Sequence, residues 1–371
     1  MPINMVDYCR MNNTNIKSAE NAVIDINPIP YLTWTWLKIN KDSVSYDFSF
    51  TENNGTDIQI PSNVSVSTGK TVKTELPEPE SSIGAEATQL ITSAAAGKIY
   101  TFEKSKEETK PLIIRIKAES NSATYNIIHA KAGADAKVII VYEGAATLSG
   151  VVTKIYAEDD ANVQITKVQI FDKSVNQIDD TQVVCGERAK TSLIQVVLGG
   201  SHTDASFHAT LAGYQSKFIS DTAYLCRENQ YIDMNQTVVH TGKKTDCNMK
   251  TDGTVKDSTT KTYRGTIDMR RGCSGSTGNE METTLLLSPQ AVVKAAPIIL
   301  CGEDDISAEH GSTIGKLSPE MLFYMNSRGI DQNTAEALLT RAKITATAAN
   351  IPEDSVREEI NQWLNRELGE D

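Results

Sequence analysis

The chain has 371 residues, with 36 Lys and Arg against 48 Asp and Glu, for a formal charge of −12. That acidic balance excludes nucleic acid or an anionic membrane surface as the main partner, because both demand a basic face. No apolar run approaches the roughly 20 residues that span a bilayer, and the opening MPINMVDYCRMNNTN has no apolar signal core, so a cytoplasmic chain is expected.

Residues 1–110 read as a mixed region. IPYLTWTWLKI (29–39) is aromatic and β-prone, and residues 40–60 alternate as a hairpin does, with Asn54-Gly55 as its turn. LPEPESS (76–82) predicts a loop and ATQLITSAAAGK (87–98) a short helix. From 111 to 316 the pattern changes. LIIRI, YNIIHA, KVIIVYEG, VVTKIYA, VQITKVQIF, SLIQVVLGG and FHATLAG follow one another as short β-branched runs closed by Gly, Ala, Asp or Asn. Three segments look like copies of one unit: GADAKVIIVYEG (133–144), EDDANVQITKVQI (158–170) and GERAKTSLIQVVL (186–198). Their shared alanines, Ala136, Ala161 and Ala189, lie 25 and 28 residues apart. Repetition at that period marks a solenoid, whose coils bury their faces only against their neighbours. The fold class expected is mainly β: a right-handed parallel β-helix, favoured over a sandwich, with a C-terminal helical domain.

Residues 317–371 turn helical. Ser318-Pro319-Glu320 is an N-cap, a first-turn proline and an acid at the positive end of the dipole, and Gly329 is a natural stop. Asp331 caps a second helix with a stripe of Ala335, Leu338, Leu339 and Ala342. Val356, Ile360, Trp363 and Leu364 form the stripe of a third. Each stripe fits packing onto the chain's own core or a partner-binding face, with Trp363 the strongest candidate anchor.

Catalysis by a familiar route has no support. GxxxxGK[ST], GxGxxG after a strand, HExxH and GxSxG are all missing, so the chain binds no nucleotide through a P-loop. The six cysteines, at 9, 185, 226, 247, 273 and 301, form no CxxC pair, which argues against a zinc ribbon. In a reducing compartment they read as small buried hydrophobes. His240, Cys247, Cys273, Cys301, Glu309 and His310 nevertheless gather soft and hard ligands in the last part of the β region. Thiolate and imidazole are ligand types that iron and iron–sulfur clusters accept. Asp159-Asp160 and Asp304-Asp305 could instead serve as paired carboxylates of a carbohydrate-active enzyme, or be solvated corners. An inert structural solenoid is the remaining alternative.

The run from VVH (238–240) through TYRGTI (262–267) and NEMETTLLLSPQA (279–291) to CGEDDISAEHGSTIGKLSPEMLFYMNSRGI (301–330) resembles the SufB/SufD family, the β-helical scaffold subunits of Suf iron–sulfur cluster assembly. The resemblance implies a non-catalytic scaffold. It implies terminal helices that dock a SufC-type ABC ATPase, through residues such as Phe323, Tyr324, Arg328, Leu338 and Leu339. It implies a dimer of β-helices, formed with a SufB/SufD-type paralogue or a second copy. His310 falls on the histidine of the SufD-type block, which helps hold a transient cluster or iron at the dimer interface. Glu309 precedes it as in SufB-type chains, and Gly311 follows it as in SufD-type chains. Glu282 stands where SufB-type chains carry a cysteine. The implied site is thus His310, Glu309, Glu282 and Cys301.

Overall fold

The computed structural model of the chain describes residues 23–30, 35–53, 55–105 and 110–369. Its centre is a β-solenoid built from two parallel sheets facing each other. The front sheet runs from Val64–Thr68 through Lys98–Phe102, Ser122–Ala130, Leu148–Ala157, Asn176–Cys185, His202–Leu211, Tyr231–His240 and Thr260–Met269 to Val292–Cys301. The back sheet runs from Thr56–Gln59 through Leu112–Ala118, Asp135–Gly144, Asn162–Gln169, Lys190–Val197, Lys217–Cys226, Asp246–Val255 and Ser276–Leu286 to Ile306–Gly315. Successive coils stack in register, Asn176 beside His202 and Thr260 beside Val292. Alternate residues therefore turn inward and outward together in every coil.

One corner explains why the sequence repeats. Gly133, Asp160, Arg188, Gln215, Lys244 and Gly275 all adopt left-handed backbone, with φ of 66°, 58°, 53°, 58°, 54° and 77°. Each is followed by a small buried residue: Ala134, Ala161, Ala189, Ser216, Thr245 and Ser276. The stack is tied by backbone bonds such as Asn162 N to Ala134 O (2.9 Å) and Lys190 N to Ala161 O (2.8 Å). The repeat expected at Ala136 is corrected here. Ala136 pairs with Val163, and the corner alanine of that coil is Ala134. An error of two residues keeps every side chain on its proper face, so the periodicity was right while the register was not.

Both outer faces of the solenoid are covered. On the front lies the helix α1, Ala85–Ala94, with a hairpin of Val23–Ile26 and Asp42–Ser45. Ile24, Ile26, Val44, Phe48 and Ile91 pack there against Tyr125, Ile127, Val152 and Ile178. Gly150 makes this approach possible, since a Cβ at that position would sit 2.7 Å from Ile91. Three N-terminal expectations change. The strands Thr51–Glu52 and Thr56–Gln59 do not form a hairpin but join the front and back sheets separately; Asn54 lies outside the described residues. Within 29–39, Thr35–Leu37 is a single 3₁₀ turn rather than a strand. The front sheet also takes in Lys98–Phe102, upstream of residue 111.

Three C-terminal helices, α2 (Pro319–Ser327), α3 (Gln332–Ala348) and α4 (Asp354–Leu368), follow the last strand. Ser318 Oγ accepts the Met321 amide at 3.1 Å, and Asp331 Oδ1 accepts that of Thr334 at 2.9 Å. The helices α3 and α4 pack on the back sheet. Ile344, Val356, Ile360, Trp363 and Leu364 meet Ile139, Val141, Val168, Val196 and Leu225. The docked stripe of α3 is Ala335, Thr340, Ile344 and Thr347, whereas Leu338 and Leu339 are half-buried and Ala342 is exposed. Trp363 is not a partner anchor. It is buried, the Arg227 guanidinium lies 5.2 Å from its ring, and Arg227 pairs with Glu367. Trp363→Ala should cost about 3–5 kcal/mol in urea denaturation, the usual loss for a buried aromatic. An unchanged midpoint would mean that this helix does not stabilise the solenoid.

Candidate functional site

The inward face of the solenoid changes character along its length. The early coils are filled mainly by Ile, Val, Leu, Ala and aromatic side chains, with Asn126 and Thr153 among them. Later coils carry polar groups at inward positions, several of them paired with one another. Lys167 Nζ donates to Asp179 Oδ1 (2.8 Å) and Thr181 Oγ1 (2.5 Å). Gln236 joins Thr222, Thr251 and Tyr263 at 3.3, 3.0 and 3.4 Å. Lys261 Nζ donates to Glu282 Oε1 at 2.5 Å, with both side chains wholly buried. Such pairs are tolerated inside a protein only when their remaining hydrogen bonds are met. Glu282 also accepts from Ser312 Oγ at 2.6 Å and from Thr284. Burial alone would raise its pKa, but the Lys261 ammonium outweighs that and holds Glu282 below the usual carboxylate range.

The stack ends at the open C-terminal end of the solenoid. Ile306–Gly315 is the edge of the back sheet and Val292–Cys301 the edge of the front. Register places His310 beside Glu280 and Ser312 beside Glu282, so His310 takes the inward phase on the uncovered edge and is exposed. Glu280 beneath it is fully buried, and burial, opposed by the Tyr263 hydroxyl and aided by the Glu282 charge, pushes it up to about 7. Gly265 leaves it room: a Cβ there would sit 1.9 Å from Glu280 Oε1.

The four candidate ligands are therefore placed differently. His310 and Glu282 share the inward phase of neighbouring strands. Glu309 pairs with Asn279, and strand alternation turns it to the opposite face. Cys301 is exposed at the end of the front-sheet edge, beside Met269. Glu282 is already committed to Lys261. Sequence reasoning missed Glu280, whose only signal was its inward phase two residues before Glu282.

The other thiols are buried: Cys185, Cys226, Cys247 and Cys273, while Cys9 lies outside the described residues. His240 and Cys247 do meet, Nε2 to Sγ at 3.3 Å, with His240 Nδ1 2.7 Å from Thr245 Oγ1. Burial pushes Cys247 up to about 12 and His240 down to about 4, so this is a neutral packing contact and not a thiolate–imidazolium couple. Three of the four corner acids are structural too. Asp160 makes two bonds to Arg188 (2.6 and 2.7 Å), Asp159 accepts the Glu187 amide at 2.7 Å, and Asp305 accepts Ser274 Oγ at 2.7 Å. They staple adjacent coils, which disfavours the carbohydrate-enzyme reading. Among the described residues no helix is long and apolar enough to cross a membrane.

The region that holds these groups also matches known proteins. Residues 114–343 match the model of the SufBD core domain of SUF-system iron–sulfur cluster assembly. The chain belongs to the SufB/SufD family. It is similar to the iron–sulfur cluster assembly protein SufD of Bacillus subtilis, 22% identical over 279 residues, covering 73% of this chain and 63% of that protein. A SufBD family protein of Staphylococcus saprophyticus is 24% identical over 222 residues, and SufB of Bacillus subtilis 23% over 222; each match covers 60% of this chain and 48% of the relative. The chain thus spans from about half to under two thirds of the length of these relatives.

The buried His240 sets a pH dependence. Its folded value near 4 lies below the ordinary value of roughly 6.5, so its contribution is complete above about 6.5 and is lost as pH falls toward 4. Between pH 7 and 5 the native chain should lose about 2 kcal/mol through this group. Urea titrations of His240→Gln should show a slope shallower by that amount; an identical slope would mean that His240 is not held neutral.

Proposed function

We propose that this chain is a non-catalytic scaffold of iron–sulfur cluster assembly that works with a SufC-type ABC ATPase. The observation that carries the reading is α2, of which no residue is buried. Phe323 is 76% and Tyr324 60% exposed, Met321 is exposed beside them, and the Arg328 guanidinium lies 5.4 Å from the Tyr324 ring. A well-capped helix that turns two aromatics and a methionine to solvent is built for a partner. Leu338 and Leu339, only half-buried on α3, extend the same surface. The ATPase would supply the nucleotide hydrolysis for which this sequence has no motif.

The second half of the reading concerns the open end. Two ten-residue edge strands offer unpaired backbone, and Ile298 and Ile299 are only partly buried there. Exposed edges of that length are templates for strand addition. A SufB/SufD-type paralogue or a second copy would close the end and enclose His310 and Cys301 between two chains. The cargo, a transient cluster or iron, would be held there by imidazole and thiol, with Glu280 and Glu282 beneath. Closure of the ATPase pair would move the attached helices and reshape this interface.

Two experiments test the two halves. Phe323→Ala with Tyr324→Ala should weaken capture of a purified SufC-type ATPase by at least about tenfold, in line with the loss of two aromatic anchors at about 1–2 kcal/mol each. Undiminished capture would refute docking through α2. His310→Ala should lower the iron and sulfide retained after anaerobic reconstitution without shifting the thermal midpoint, and unchanged retention would remove His310 from the site.

A further inference from the structure

Far from the open end, three side chains converge beneath the N-terminal hairpin. Asp42 comes from the hairpin, and His202 and Asp204 from the outward phase of one front-sheet strand. His202 Nε2 lies 3.3 Å from Asp42 Oδ2 and 3.4 Å from Asp204 Oδ1, and one ligand atom from each residue falls within 4.8 Å of the other two. Both pairs lie within ion-pair reach, but neither has the geometry of an N–H···O bond. His202 Nε2, Asp42 Oδ2 and both Asp204 oxygens have no hydrogen-bond partner although Asp204 is wholly buried. A buried carboxylate with both oxygens unmet is costly and rare. Bonds of roughly 2.0–2.1 Å from a tetrahedral ion place its ligand atoms about 3.3–3.4 Å apart, the spacing seen for both nitrogen–oxygen pairs.

The surroundings fit an ion. Asp42 Oδ1 accepts the Ser43 amide at 2.8 Å, which aims Oδ2 at the cluster. Tyr231 packs tilted against the His202 ring at 4.4 Å and Tyr46 stands edge-on to it at 5.9 Å. The neighbouring Asp233 is matched by Arg264 and by Asn27 Nδ2 at 2.7 Å. Asp42 and Asp204 thus bring two carboxylates to one imidazole, a donor set whose charge matches one divalent cation. Asp42 and His202 are each about one-fifth exposed, so an ion and a completing water can enter.

We propose that Asp42, His202 and Asp204 bind one divalent transition-metal ion of the zinc type, which clamps the N-terminal hairpin to the solenoid. One imidazole and two carboxylates suit such an ion, and the set contains no thiolate, so the site is chemically distinct from a cluster site. The rival is an imidazolium held between two carboxylates.

The full-length chain carrying Cys301→Ser and His310→Ala, freed of metal with chelator, is titrated with Zn²⁺ by calorimetry and with Co²⁺ by absorption. One equivalent should bind, and the cobalt spectrum should show ligand-field bands with no thiolate charge transfer. Asp204→Asn and Asp42→Asn should each weaken binding by more than the roughly 10–100-fold that loss of an outer-shell partner costs. Asp42→Asn alters only a partly exposed hairpin residue and should keep the fold, which circular dichroism checks. Zn²⁺ should raise the thermal midpoint of the parent and leave that of Asp42→Asn unmoved. No stoichiometric binding by the parent, a thiolate band, or binding unchanged in both variants would overturn the proposal in favour of the imidazolium.

Discussion

A parallel strand satisfies its backbone only when another strand lies on either side. In a solenoid each coil supplies that partner for the next, and the constraint fixes everything else about this molecule. It aligns the corner residues from Ala134 to Ser276, forces six consecutive coils through left-handed backbone at the same place, and keeps inward and outward phases common to all coils. It also leaves one end unfinished. The first coils are closed by antiparallel strands from the N-terminal region, Val64–Thr68 and Thr56–Gln59. The last coil ends in Val292–Cys301 and Ile306–Gly315 with nothing beyond them among the described residues. The asymmetry is built into the ladder and does not depend on any single side chain.

That phase rule explains how much could be read from the sequence. Inward and outward alternation is local, so the β-helix, its corner repeat and the caps at Ser318 and Asp331 were legible in short windows. Register is not local. Ala134 and Ala136 share one phase, and only the hydrogen bonds to the next coil show which of them turns the corner. The same limit applies to the site. The phase opposition of Glu309 and His310 follows from adjacency, but the pairing of Lys261 with Glu282 joins two sheets across the interior. Trp363 was misleading because amphipathic spacing is identical whether a helix docks on its own chain or on another. Only the apolar outward positions of the back sheet, Val141, Val168 and Val196 among them, decide that α4 docks internally.

The helices then divide the labour by burial. The stripe of α4 is spent on the back sheet, and α3 is anchored by Ile344, by Lys343 with Asp252, and by Thr347 with Asp221 Oδ1 at 2.8 Å. The helix α2 has none of these attachments, and it immediately follows the unpaired edge strand that carries His310. A force applied to α2 by the proposed partner would therefore reach the edge strand through Lys316 and Leu317, while α3 and α4 would resist it through the sheet they cover. Few contacts hold α2 and many hold α3 and α4, so α2 is the helix of lowest local stability.

The polar interior sharpens this asymmetry. Apolar coils resist opening because every inward side chain would be exposed to water at about 25 cal/mol per Å². Coils lined by Gln236, Thr251, Tyr263, Lys261 and Glu282 gain less from closure, since their groups would find water as they lose one another. Stability should thus decline from the Ile- and Val-filled coils toward the open end. Glu280 marks the extreme, a fully buried carboxyl set against the Glu282 charge one register step beneath His310. Burying it beside Glu282 costs the fold free energy, and part of that cost would be recovered by anything that brings a positive charge to the inner face of that edge. The place where the ladder runs out of partners is therefore also where the interior gains most from receiving one.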